Sequence, residues 1–146
     1  MLERANLLGA IVAVALFALY IVMFILRLTG RVELGHWIAS AQFLTAVPLI
    51  YLLVQAPRLE RRGLYYVQII LMLLFLVVEL FLDYILQVEF RQNIRAVIAY
   101  VVFFFAAAGG MLGIAAEAGR PWTIASIVLF LIMAVLAFVQ RAVTGM

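Results

Sequence analysis

Apolar residues run along this chain in five long segments, and the charged residues gather mainly in the short connections between them. An α-helix needs about 20 apolar residues to cross the ~30 Å hydrocarbon core of a bilayer. The segments that meet this length are residues 7–28, 34–55, 63–88, 94–117 and 121–140. The pattern predicts an all-α integral membrane protein, a single domain built as a bundle of about five transmembrane helices with short loops.

Helix-breaking residues mark the ends of these segments. They are Gly30, Pro57, Gly63, Gly119 and Pro121. Connections this short make consecutive helices antiparallel neighbours and leave no room for a soluble domain. Pro48 differs, because it lies inside the second segment. A proline within a helix lacks the N–H donor and clashes with the preceding turn, so we expect a distortion of the second helix near this residue.

The composition agrees with a membrane location and excludes several kinds of chemistry. A chain of 146 residues that is 70% hydrophobic has too much apolar surface for a soluble domain of this size. The absence of cysteine excludes disulfides, thiolate metal sites and thiol catalysis, and the absence of lysine excludes a lysine Schiff base. The single histidine, His36, excludes sites that need several imidazoles. We therefore expect neither a metal nor a cofactor, and an enzyme is the less favoured reading.

All ten basic residues are arginines, and they are scattered at the segment ends. This distribution is typical of anchors at anionic lipid headgroups and excludes a nucleic-acid surface. Five predicted spans place five arginines on each side, so the positive-inside rule does not decide the orientation. The one dense cluster, Arg58 with Arg61 and Arg62, favours a cytoplasmic amino terminus. We expect a prokaryotic inner (plasma) membrane.

Two carboxylates interrupt the third apolar segment. Glu79 and Asp83 are four residues apart, so a helix places them on one face. An unpaired charge at such depth costs roughly 2.5 to 3.5 kcal/mol, so each needs a partner. The alternating topology brings the end of the first helix and the starts of the second and fourth to the same side. The candidate site for an ion, a proton or a solute comprises Glu79, Asp83, His36, Arg27, Arg95, Tyr20, Tyr84 and Gln87.

The fourth segment carries a run of small residues. Gly109 and Gly113 have the spacing that puts two glycines on one helix face, which predicts close helix packing within or between protomers. Five helices make a thin wall around any pathway. We therefore expect a homo-oligomer or a larger membrane complex, with the lipid bilayer as the other partner.

Three functions fit these features. The first is transport of a proton, an ion or a small polar solute through the polar site on the third helix. The second is a non-catalytic accessory or assembly subunit, whose buried charges pair with a partner protein. The third is a membrane enzyme or a protein that binds a lipophilic ligand. A purely structural role also fits the carboxylates, since an arginine–carboxylate pair fixes the order of helices.

Overall fold

A computed structural model describes residues 2–58, 62–81 and 94–144, and these residues form helices joined by tight turns. The elements are α1 (Leu2–Leu28), α2 (Val32–Ser40), a 3₁₀ segment (Ala41–Thr45), α3 (Ala46–Gln55), α4 (Gly63–Glu79), α5 (Ile94–Ala116) and α6 (Arg120–Thr144). Four helical stretches are long and apolar enough to cross a membrane: Glu3–Leu28, Glu33–Gln55, Ile94–Ala116 and Arg120–Val143. The chain is thus an all-α membrane bundle. The third predicted span is described as far as Phe81, and its remainder lies outside the described residues.

The second span is one helical rod interrupted in its middle. Between α2 and α3, residues Ala41–Thr45 form a 3₁₀ turn, and Pro48 follows in the next turn. Pro48 lacks the N–H that would bond to the carbonyl of Leu44, and its ring crowds that oxygen. The Thr45 hydroxyl donates to the carbonyl of Gln42. The regular α-helix therefore breaks close to the proline, as the sequence predicts.

Glycine ends α1 in a tight cap. Gly30 has a φ of 82°, a left-handed conformation that glycine adopts without a steric penalty. The N–H of Arg31 donates to the carbonyl of Leu26 at 2.8 Å, and the N–H of Gly30 donates to that of Arg27 at 3.2 Å. This is the Schellman arrangement, which satisfies the last carbonyls of the helix and turns the chain into α2.

Helix α1 lies at the centre of the bundle. It packs against α2, α3, α5 and α6, while α4 packs against α3 and α5. Its buried residues are mostly small in the first half, such as Ala10 and Ala13, which lets neighbouring helices approach closely, and they are large from Leu16 onward. Phe17 of α1 meets Phe130 of α6 with ring centroids 6.0 Å apart. Large apolar side chains cover the outer surface, as expected for helices that face lipid.

Helices α4 and α5 approach most closely at two glycines. A Cβ added to Gly110 would lie 3.4 Å from Cα of Gln68, and one added to Gly113 would overlap the side-chain amide of Gln68. A Cβ on Gly109 would meet no described atom within 4 Å. Within this chain, the face of α5 that approaches α4 most closely is therefore formed by Gly110 and Gly113, which lie about one helical turn apart. The predicted role of Gly109 in contacts between protomers stays a prediction.

Candidate functional site

A cavity of about 360 Å³ lies at one end of the bundle. The last turns of α1, α4 and α6 and the first half of α5 form its walls. Eleven of its described lining residues are apolar. The other six carry polar groups: Tyr20, Arg27, Glu79, Tyr100, Gln140 and Arg141. The ends of α1, α4 and α6 thus lie at the same level as the start of α5, as the alternating topology of five spans requires.

Glu79 forms the buried polar part of the wall. It is the last residue of α4 and only 5% exposed. It continues the buried face that Met72 and Phe75 begin, at helical spacing. The hydroxyl of Tyr100 donates a hydrogen bond of 2.8 Å to its Oε1 atom. The helix period of α4 therefore turns this carboxyl into the bundle and not toward lipid.

Tyr100 reaches Glu79 from α5. It lies six residues after Ile94, so it is about 9 Å deeper along the helix. Its ring packs against Phe75 with centroids 5.5 Å apart. Phe75 also contacts Phe104, at 5.5 Å. Aromatic rings of two helices thus hold the phenol in place beside the carboxyl.

Arg27 and Arg141 lie at the rim of the cavity. Each is the basic residue in the last turn of its helix, α1 and α6 respectively. The position suits a cation, because the carbonyl end of a helix carries partial negative charge. Both side chains are half-buried, and both line the cavity.

A second buried polar contact adjoins the cavity on the side of α1. The hydroxyl of Tyr20 donates to Oε1 of Gln42 in the 3₁₀ segment, and the two residues are 2% and 1% exposed. The Tyr20 ring lies against Phe104 with centroids 5.1 Å apart. The Nε2 atom of Gln42 makes no hydrogen bond within the described ranges. This contact ties the interrupted second span to the central helix.

The cavity reaches the outer surface of the bundle between α5 and α6. Val102 and Phe138 line it, yet they are 64% and 62% exposed. In a membrane this opening faces lipid.

Comparison with known protein families, characterised proteins and solved structures finds no match for this chain. The arrangement itself offers a mostly apolar chamber whose lining includes two guanidinium groups and a hydrogen-bonded carboxyl, which suits an amphiphilic molecule.

The structure brings together part of the site that the sequence predicts. Glu79, Arg27 and Tyr20 line the same cavity. His36 and Arg95 are exposed and are not among its lining residues. Three further predicted members lie outside the described residues: Asp83, Tyr84 and Gln87.

Three polar lining residues are absent from the predicted site: Tyr100, Gln140 and Arg141. Topology alone places Arg141 on the same side of the membrane as Arg27, so its level could be predicted from the sequence. Tyr100 could not, because α5 is apolar on nearly every side and its pattern does not show which face turns inward.

Proposed function

We propose that this membrane protein binds a small amphiphilic molecule, which enters from the bilayer between α5 and α6. The observation that carries the proposal is the cavity itself: a mostly apolar chamber whose polar groups converge at one end. Ligand pockets in proteins have this composition, with a few placed polar groups that fix the orientation of the ligand. The exposed lining residues Val102 and Phe138 give the route of entry.

The volume limits the size of the ligand. A cavity of about 150 Å³ accommodates benzene. The present cavity, at about 360 Å³, is more than twice that volume and suits one medium-length alkyl chain or a compact ring system. A whole two-chain phospholipid exceeds it. We therefore expect a single-chain amphiphile, or one chain of a larger lipid inserted through the opening.

Photolabelling of the protein in phosphatidylcholine nanodiscs tests this proposal. The probe is an alkyl alcohol that carries a diazirine, and the labelled peptides are mapped by mass spectrometry. We expect labels on the cavity segments of α5 and α6, and displacement by excess unlabelled dodecanol. Labels spread evenly over the exposed surface, without displacement, would contradict the proposal.

A matched pair of variants on α6 locates the label. Ala137 lines the cavity, whereas Ala125 is exposed and lies outside it. Ala137→Phe should occupy a large part of the chamber and weaken the displaceable label. Ala125→Phe adds the same ring on the lipid-facing side and should leave the labelling unchanged. Equal labelling of both variants would mean that the probe binds elsewhere.

The second candidate function is transport of a proton, an ion or a small polar solute. The observation that favours it is the buried carboxyl of Glu79 on the cavity wall, since ionisable groups at membrane depth commonly serve a pathway. Flux through proteoliposomes that contain the purified protein tests it, with protein-free liposomes as the baseline. No flux of protons, alkali cations or small polar solutes above that baseline would remove this candidate.

A further inference from the structure

We infer that the ligand of this cavity is an acidic amphiphile, whose carboxylate or phosphate head is held by Arg27 and Arg141. The inference rests on the proposed binding function and adds the chemical class of the ligand. Guanidinium groups match the planar oxygens of carboxylate and phosphate and bind them through two parallel hydrogen bonds. Two such groups at one rim make a site for an anionic head.

The fold places the two arginines at the same end of the bundle. Phe17 contacts Phe130, and Arg27 and Arg141, which follow these residues by ten and eleven positions, line one cavity, so α1 and α6 run in parallel. The stem of Arg27 passes close to Gly35 of α2, where an added Cβ would lie 3.5 Å from its Cγ. The small residue at this position leaves room for the arginine stem beside α2, while the side chain lines the cavity.

The charges along the cavity favour an anion and give it a direction. Among the described lining residues, the ionisable side chains are those of two arginines and one glutamate, so potentially cationic groups outnumber potentially anionic ones. The carboxylate of Glu79 repels an acidic head, while the two arginines attract it. The head should therefore stay at the rim, and the alkyl chain should extend inward along Phe24, Phe104 and Phe138.

Competition against the photoreactive alcohol in phosphatidylcholine nanodiscs tests the class of ligand. The competitors share one chain length: dodecanoate, dodecyl phosphate, dodecanol and dodecyltrimethylammonium. We expect the two acids to displace the probe at roughly tenfold lower concentration than the alcohol. Displacement by the cation at the lowest concentration, or equal displacement by all four, would overturn the inference while the labelling itself keeps the binding proposal intact. An absence of displaceable label would instead contradict the binding proposal.

Two short anions distinguish an amphiphile from a water-borne ligand. Acetate and inorganic phosphate carry the same head groups without the chain. We expect neither to displace the probe at the concentrations at which dodecanoate and dodecyl phosphate do. Equal displacement by the short anions would overturn the proposal of an amphiphilic ligand and would indicate a site for a small anion.

Arginine variants assign the head group to its residues. Arg27→Gln and Arg141→Gln should each raise the dodecanoate concentration needed for displacement by roughly tenfold and change that of dodecanol much less. Arg31 lies at the same end of the bundle, is exposed and does not line the cavity, so Arg31→Gln removes an equal charge as the control. Dodecanol displacement that persists in the variants shows that they keep a folded cavity. An equal loss in Arg31→Gln would mean that surface charge alone attracts the acid, and would overturn the inference.

Discussion

The hydroxyl of Tyr100 donates a hydrogen bond of 2.8 Å to Glu79, and this bond joins α5 to α4 at the wall of the cavity. Both residues lie among apolar neighbours, where a carboxyl without hydrogen-bond donors is costly. Aromatic packing against Phe75 holds the phenol in position. The contact therefore contributes to the packing of α4 against α5 and also forms part of the polar lining of the cavity.

Removing the Tyr100 hydroxyl should destabilise the bundle. Tyr100→Phe keeps the ring contacts and leaves Oε1 of Glu79 without this donor, which costs about 1 to 3 kcal/mol. Thermal unfolding in detergent should show a lower midpoint than wild type. Tyr51→Phe is the control, because Tyr51 is 50% exposed on the outer surface of α3. If the two variants unfold at the same temperature, the bond contributes nothing to stability.

The bond between Tyr20 and Gln42 predicts non-additive effects. Tyr20→Phe leaves a buried amide oxygen without its donor, and Gln42→Leu leaves the buried hydroxyl without its acceptor. Each should lower stability by about 1 to 3 kcal/mol. The double variant replaces both polar groups with apolar ones, so it should lose less than the sum of the two. Additive losses in a double-mutant cycle would show that the two side chains do not interact.

The contact of α4 with α5 predicts different outcomes at two neighbouring glycines. Gly113→Leu places a large side chain against Gln68, and overpacking of this kind typically costs about 1 to 3 kcal/mol. Gly109→Leu projects into space that no described residue fills. We expect a lower unfolding temperature for the first variant alone. A change of oligomeric state in Gly109→Leu, measured by size-exclusion chromatography with light scattering, would reveal a contact between protomers at this face.

Much of this fold can be predicted from the sequence, because membrane spans are set by length and hydropathy. The fourth segment is predicted at 94–117, and α5 ends at Ala116. The discrepancies occur where charged residues continue a helix. Helix α1 starts at Leu2 and includes Glu3, and α6 runs past Arg141 to Thr144, because charged residues at the membrane surface are compatible with the helical backbone.

The candidate site is less predictable, because it depends on how each helix is rotated about its axis. Glu79 is evident from the sequence, since a carboxylate stands out in an apolar segment. Arg27 and Tyr20 follow from topology, which fixes the level of each residue in the membrane. Placing Tyr100 in the site requires knowing how α5 is rotated about its axis. The packing of Phe75 against Phe104 between the two helices sets this rotation.

Five spans predict that the two termini lie on opposite sides of the membrane. The cavity agrees with this topology, because Arg27 and Arg141, near the ends of α1 and α6, line the same end of the bundle. Single cysteines introduced at Leu2 and Gly145 should react with a membrane-impermeant maleimide from opposite sides of sealed vesicles. The absence of native cysteine makes the labelling unambiguous. Reaction of both positions from one side would point to an even number of spans.

Two substitutions of Glu79 separate a structural role from a functional one. Glu79→Gln keeps an oxygen that can accept the hydrogen bond from Tyr100, so the variant should fold with nearly wild-type stability. Glu79→Leu removes the acceptor and leaves the phenol without its carboxylate, which should lower stability by about 1 to 3 kcal/mol. Adding Tyr100→Phe to Glu79→Leu should restore part of this loss, since both partners are then apolar. Thermal unfolding of the four proteins in one detergent measures these differences.

The charge of Glu79 then decides between the two candidate functions. If the protein transports a proton or a cation, Glu79→Gln should abolish the flux in proteoliposomes although the protein folds, because the amide cannot gain or lose a proton or carry negative charge. If the protein binds an acidic amphiphile, the same variant should bind dodecanoate more tightly than wild type, because the repulsive charge of the carboxylate is gone. Weaker dodecanoate binding in Glu79→Gln would mean that the carboxyl attracts the ligand, which contradicts an acidic head. Unchanged flux together with unchanged binding would exclude the charge of this residue from both functions and leave it a purely structural part of the contact between α4 and α5.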